Sequence, residues 1–186
     1  MTDMKIRVLP DDLKLTLTDP TLRLAVQVAL VTALREREVL SLRLESFQGA
    51  AGRRVVPVLV KGGRVEDVYF PDQLVEAIQK FIRTRRRSLE VGWLFVGRRR
   101  RSASKLAVST LWKLWHDAQR GSGVAPPLFR FHDLRHTAIT RFYLLTRDIE
   151  KTRMFARHRS IATTQIYTHI RPEEVWKDME GMNHEK

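Results

Sequence analysis

The sequence predicts a mainly α-helical fold with one small antiparallel β-sheet, an α+β arrangement in a single domain. Three observations predict it. Apolar residues recur at helical spacing along most of the chain. Only residues 53–70 switch to valine-rich, strand-prone sequence, folded about a glycine turn. The 186 residues, 43% of them hydrophobic, suffice for one core, and no repeat or Pro-, Gly- or Ser-rich linker divides them.

From the N-terminus, residues 1–11 read as a loose leader. Asp19 is a helix N-cap followed by Pro20 at the first helical position, and Leu22, Val26, Ala29, Leu30 and Ala33 repeat at helical spacing, so a buried helix runs to about Leu34. A short helix over residues 37–42 follows on Val39, Leu40 and Leu42. Residues 53–60 and 65–70 form a β-hairpin whose turn, Lys61-Gly62-Gly63-Arg64, is a basic tip. Pro71 and Asp72 open a helix through Leu74, Ile78, Phe81 and Ile82 that ends in the basic residues 83–87. Arg98, Arg99, Arg100 and Arg101 make a second basic run in a loop. Helices are predicted over residues 104–119 and 131–146, with shorter ones over 149–156 and after Pro172.

Composition narrows the function. Lys plus Arg number 34 against 21 Asp plus Glu, a net charge of +13 that calls for a polyanionic partner, nucleic acid first. Most of the cations are arginines, whose planar forks match two phosphate oxygens at once. An anionic membrane would also attract the charge, but basic membrane helices set their cations opposite one strongly apolar face, and here the charge is scattered. Residues 24–34, the longest apolar stretch, are too short for a bilayer and are interrupted by Gln27 and Thr32; no secretory signal opens the chain. The absence of cysteine excludes disulfides, thiolate zinc sites and cysteine nucleophiles. The expected location is cytoplasmic, in association with the nucleoid.

Five dispersed features carry chemistry. Arg35 follows the buried apolar helix at a helix junction; alone, it reads first as a surface arginine with Glu38 as local ion-pair partner. Lys61 sits in a glycine-flanked turn that lets a ligand approach; alone, it is an exposed turn residue. In His132-Asp133-Leu134-Arg135-His136, the i, i+3 spacing puts His132 and Arg135 on neighbouring parts of one helix face, pairing a proton-shuttling group with a phosphate fork. His132 and His136 would also suit zinc at i, i+4, but the acidic base of the zinc-protease motif is missing. His158, in Arg157-His158-Arg159-Ser160, and Tyr167, in Thr163-Thr164-Gln165-Ile166-Tyr167-Thr168-His169, are each weak signals, Tyr167 reading by itself as half-buried packing.

Together, the order Arg35, Lys61, His132-x-x-Arg135, His158, Tyr167 closely resembles the tyrosine site-specific recombinases, the phage integrase family, from Asp12 to the C-terminus. That family shares a Leu-Arg pair followed by glutamate, a hairpin lysine, His-x-x-Arg-His-Thr, and Gly-His with Thr-Thr-x-x-Tyr-Thr-His. The resemblance implies that Arg35 and Arg135 clamp the non-bridging oxygens of a scissile phosphate and that Tyr167 is the nucleophile. It further implies that Lys61 protonates the departing 5′ oxygen, His132 assists proton transfer at the tyrosine, and His158 hydrogen-bonds the phosphate. The chemistry suits these residue types. An in-line displacement gathers charge on equatorial oxygens, where arginine forks meet it. A free tyrosine is ionised only about one part in a thousand at neutral pH, so a cationic pocket favours its phenolate. A covalent 3′-phosphotyrosine conserves the phosphodiester bond energy, so neither metal nor cofactor is expected.

The sequence departs from the family at three places: Ala33 and Arg157 stand where glycine is usual, and the strand after Lys61 lacks the usual arginine and proline. The resemblance implies a tyrosine recombinase catalytic-domain fold: a catalytic core over residues 12–170 and a C-terminal helix or tail over 171–186 whose Val175, Trp176 and Met179 dock in a neighbouring protomer. The N-terminal core-binding domain that most of the family carry is expected to be absent, because 186 residues leave no room for it. The resemblance also implies double-stranded DNA as partner, a monomer that assembles into a synaptic tetramer on DNA, and accessory DNA-bending proteins. Arg64 and the run Arg98 to Arg101 are expected to position DNA phosphates. Two rivals are weighed. Type IB topoisomerases share the chemistry but generally carry lysine at the place of His132. A helix-turn-helix regulator is suggested by residues 34–40, but a hairpin follows where its recognition helix should be.

Overall fold

The computed structural model describes residues 7–47, 54–60, 63–84, 92–97 and 104–167. Seven helices and one hairpin are found among them: α1 (Pro20–Thr32), α2 (Glu36–Leu40), β1 (Val55–Val60), β2 (Arg64–Tyr69), α3 (Asp72–Thr84), α4 (Val108–Gly121), α5 (Phe131–Thr146), α6 (Ile149–Ala156) and α7 (Ala162–Gln165), with a 3-10 turn at Leu44–Phe47. The fold is mainly helical with a two-stranded antiparallel sheet, as the sequence predicts. The chain divides within α5 into two compact units, Met1–Ala138 and Ile139–Lys186.

In the first unit, the Asp19 side chain accepts the Leu22 N–H and Pro20 opens α1, as expected. α1 buries Leu22, Leu24, Ala25, Val26, Val28 and Ala29 and packs against α2, α3 and α4, which makes it the centre of the core. Each such buried aliphatic side chain larger than alanine stabilises by about 1.5–3 kcal/mol. Around α1 the core continues through Phe47 and Phe70, edge to face at 5.1 Å, and through Trp115 and Phe131 at 6.0 Å. The hairpin pairs Val55 with Tyr69 through to Val60 with Arg64, and β1 buries alternate residues, Val56, Val58 and Val60. Gly63 takes φ 75°, the left-handed turn conformation that glycine tolerates.

Several element ends differ from expectation, some through local caps and some because a distant backbone group supplies the partner. α1 stops at Thr32 and not near Leu34, since Ala33 turns left-handed at φ 51° and donates its N–H to the Ala29 carbonyl. That conformation explains why glycine is the usual residue here. α2 covers residues 36–40 where 37–42 was expected: Glu38 accepts the Arg35 N–H and fixes the helix start, while the Leu42 carbonyl leaves to accept Leu94 N–H. β2 begins at Arg64, inside the expected turn. α4 starts at Val108 and not at Ser104, because residues 104–106 run extended against 95–97, with Leu106 N–H on the Phe95 carbonyl. The expected leader is docked over residues 7–9: Leu9 N–H donates to Thr137 Oγ1, and Arg7 donates to the carbonyls of Pro127 and Leu128 while lying over the Phe129 ring.

In the second unit, α6 is capped by Asp148, which accepts Lys151 N–H, and ends at Arg157, left-handed at φ 54°. The bounds of α5 and α6 are those the sequence predicts, whereas α7 was not anticipated. The expected helix after Pro172, the basic residues 85–87, Lys61 and Arg98 to Arg101 lie outside the described residues. Among the described residues no helix is long and apolar enough to cross a membrane.

Candidate active site

The end of α1 builds the first cluster. A helix terminus leaves carbonyls without intrahelical partners, and the buried Arg135 guanidinium, carried on α5, donates to the carbonyl of Ala33. This ties Arg135 to the peptide two residues before Arg35. Arg35 caps α2 and donates from Nη1 to Glu38 Oε1 at 3.0 Å, while its N–H donates to Glu38 Oε2 at 2.8 Å. The bland ion pair is therefore real, but it is more than a surface contact, because Glu38 is only 3% exposed. Burial by itself would raise the Glu38 pKa; the Arg35 N–H, the Arg35 guanidinium and the charge of Arg135 outweigh it and hold the carboxyl below its usual range. Glu38 thus serves as counter-charge to both arginines. Arg35 keeps a side chain 32% exposed, so part of its fork remains open to a ligand.

His132 stands on the same helix as Arg135, at its start. Asp133, fully buried, accepts Arg130 N–H at 2.8 Å and pairs with the Arg130 guanidinium at 3.1 Å, which fixes the first turn. Phe129, just before it, is held at both backbone groups by the buried Gln119 amide, and its carbonyl also accepts Trp115 Nε1–H. His132 is half-buried and meets His136 edge to face at 4.8 Å. Burial, then the charges of Arg135, Arg35 and Arg130, lower the His132 pKa against the opposing pull of Asp133. The imidazole is consequently neutral at neutral pH and able to accept a proton. His136 is lowered further, to about 4, first by burial and then by the charge of His132. As for the zinc alternative, no group of three or more His, Asp or Glu side chains is placed to hold a metal among the described residues.

The second unit holds the other two candidates. His158 follows α6, its N–H on the Arg153 carbonyl at 3.0 Å and its own carbonyl accepting Arg153 Nη1 at 2.9 Å. Its Nδ1 lies 3.0 Å from Thr164 Oγ1. Tyr167 donates its N–H to the Thr164 carbonyl and stacks on His158, with ring centroids 6.1 Å apart and planes 24° from parallel. Tyr167 is buried, 5% exposed, as a packing tyrosine would be. The structure therefore gathers Arg35, Arg135 and His132 in one unit, and His158 with Tyr167 in the other. Of the expected DNA contacts, Arg64 is described: it is exposed and pairs with Glu66 at 3.2 Å. Sequence reasoning missed the central place of Glu38, whose signal was its spacing from Arg35, and the anchoring role of Gln119, whose signal was a glutamine one turn beyond Trp115 on an apolar stripe.

A helical domain with this hairpin and these two clusters is a tyrosine recombinase catalytic domain. The chain belongs to the phage integrase family, whose model matches residues 7–174. It is 30% identical over 161 residues to the tyrosine recombinase XerA of Pyrococcus furiosus, covering 87% of this chain and 54% of that protein. It is 31% identical over 152 residues to XerC of Mycobacterium tuberculosis, covering 80% and 49%. The chain thus spans about half the length of the curated relatives it matches. Its fold is similar to that of the XerH site-specific recombinase bound to difH substrate in a pre-cleavage complex, with a TM-score of 0.69 at 19% identity over 99% of this chain and 57% of the other.

Proposed function

We propose that this chain is the catalytic part of a site-specific recombinase that cleaves and rejoins double-stranded DNA through a 3′-phosphotyrosine. The observation that carries the reading is the hold on the two arginines: buried Glu38 takes Arg35 at its guanidinium and its N–H, 3.0 and 2.8 Å, and the Ala33 carbonyl takes the buried Arg135 guanidinium, with His132 one turn before Arg135 on α5. Such a cluster keeps guanidinium forks positioned and leaves a base ready for a phenolic proton. In the reaction, the Tyr167 oxygen attacks phosphorus while the bond to the 5′ oxygen breaks. His132 takes the phenolic proton, and Lys61 gives one to the leaving 5′ oxygen. Arg35 and Arg135 neutralise the equatorial oxygens, and His158 donates to one of them. Attack by a 5′ hydroxyl then reverses these steps and frees the tyrosine. Bond energy is conserved, so no nucleotide is consumed.

The curated relatives are recombinases, which favours strand exchange over topoisomerase relaxation. By the same likeness the chain acts as a tetramer on paired DNA sites, with Arg64 and residues 98–101 on phosphates, aided by DNA-bending proteins, in the nucleoid. The test is incubation with nicked duplexes from a random library, denaturation, and mass spectrometry for a nucleotide on Tyr167. The expected result is an adduct that Tyr167→Phe abolishes while DNA binding persists; equal adduct formation by the variant overturns the assignment.

A further inference from the structure

We propose that Thr164 is a positioning residue that fixes the tautomer of His158, keeping the proton on Nε2 so that the ring is a hydrogen-bond donor to phosphate. This rests on the reading of His158 as a phosphate ligand. Thr164 is fully buried on α7, and its hydroxyl lies 3.0 Å from His158 Nδ1, itself in a buried ring. Other threonines of the helices satisfy the hydroxyl locally: Thr32, Thr137, Thr146 and Thr152 each donate to the carbonyl four residues earlier. Thr164 departs from that pattern, its hydroxyl being turned to the imidazole.

The chemistry of the pair then selects one proton arrangement. If the hydroxyl donates to Nδ1, its proton is satisfied, Nδ1 acts as acceptor, and the ring proton sits on Nε2. If instead Nδ1–H donates to the hydroxyl oxygen, the threonine proton is left in the interior without an acceptor, which burial penalises. The first arrangement is therefore favoured, and it is the one that gives an N–H to a phosphate oxygen; the second would present a lone pair to an anion. The surrounding contacts keep the ring in register. Arg153 holds both backbone groups of His158 at 3.0 and 2.9 Å, and the carbonyl of Thr164 accepts Tyr167 N–H at 3.0 Å, so the same residue touches the imidazole with its side chain and the nucleophile with its backbone.

The experiment is long-range proton–nitrogen correlation on protein labelled with nitrogen-15 histidine, at about pH 8 where imidazoles are neutral, on the full chain with Thr164, Thr164→Ser and Thr164→Val. His158 should show the Nε2–H tautomer in the first two and a mixture, or Nδ1–H, in Thr164→Val. In parallel, cleavage of a nicked duplex at saturating protein should fall about tenfold in Thr164→Val with DNA affinity unchanged, and recover in Thr164→Ser, because a donor to the transition state is lost. An Nδ1–H signal in the unsubstituted protein, or an unchanged Nε2–H signal in Thr164→Val, overturns the proposal. The unsubstituted measurement does not depend on either variant folding. If the unsubstituted protein forms no Tyr167 adduct, the recombinase reading fails, and the tautomer result still decides what Thr164 does to His158.

Discussion

Replacing His136 with phenylalanine keeps a ring of similar size in the interior and removes a titrating group whose pKa is pushed from 6.5 to about 4. Because the folded value lies below the unfolded one, the unfolded chain binds more protons in the interval between them. The neutral ring thus contributes stability that is complete above about pH 6.5 and is lost progressively as the pH falls toward 4. The gap between 6.5 and about 4, at about 1.4 kcal/mol per pH unit, amounts to about 3 kcal/mol. Part of that sum belongs to His132, which lies edge-on at 4.8 Å, is lowered in the same direction, and resists a second charge beside it. The assay is urea unfolding from about pH 7.5 to about pH 4, comparing slopes and not absolute stabilities, so that packing changes at the substituted site cancel. The parent protein should lose up to about 3 kcal/mol more than His136→Phe across that window. Glu38 and the other carboxylates with lowered pKa act below their ordinary value of 4.5 and are common to both proteins. Parallel loss in the two proteins would refute the argument, because it would mean that His136 takes up its proton without unfolding.

Glu38→Gln should destabilise the protein by about 2 kcal/mol in urea unfolding at neutral pH, since it removes the buried carboxylate that pairs with Arg35 at 3.0 Å; a loss under about half a kcal/mol shows that Glu38 is not the counter-charge. Arg147→Gly should raise stability by about 0.5–1 kcal/mol and the Tm by about 2 °C, because the left-handed strain relieved at φ 52° exceeds the entropy glycine adds to the unfolded chain. A lower Tm would show that the Arg147 side chain contributes more than its backbone costs. Gln119→Leu should cost about 1–2 kcal/mol, by taking from the half-buried Phe129 N–H its acceptor at 2.7 Å, and calorimetry showing a neutral effect would remove Gln119 as an anchor of the loop before α5.

Elements whose start and stop signals are local were legible in the sequence. The Asp19 cap with Pro20 fixed the start of α1, the apolar spacing through Leu134 and Ala138 marked α5, and the switch to valine-rich, strand-prone sequence about a glycine turn marked the hairpin. These follow from side-chain periodicity and from hydrogen bonds closed within a few residues, which neighbouring sequence specifies. The ordered spacing of Arg35, His132, Arg135, His158 and Tyr167 was enough to indicate the family, because it is a property of the chain and not of its folding.

What tertiary structure decided lies where the partner comes from far along the chain. The Arg135 guanidinium meets the Ala33 carbonyl across 102 residues, and Leu106 leaves the expected helix to pair with Phe95. Leu9 is drawn out of a seemingly loose leader by Thr137, across 128 residues. No local propensity encodes such closures, since each is favourable only after the intervening chain has folded and excluded water. The same holds for the electrostatics. That Glu38 is shared by two arginines, that His132 and His136 are held neutral, and that the Thr164 hydroxyl faces an imidazole all depend on burial and on charges brought near by the fold. The sequence by itself determined which chemical groups are present and in what order; only the folded chain decided their protonation and their hydrogen-bond partners, because both are set by the dielectric and the neighbours that folding creates.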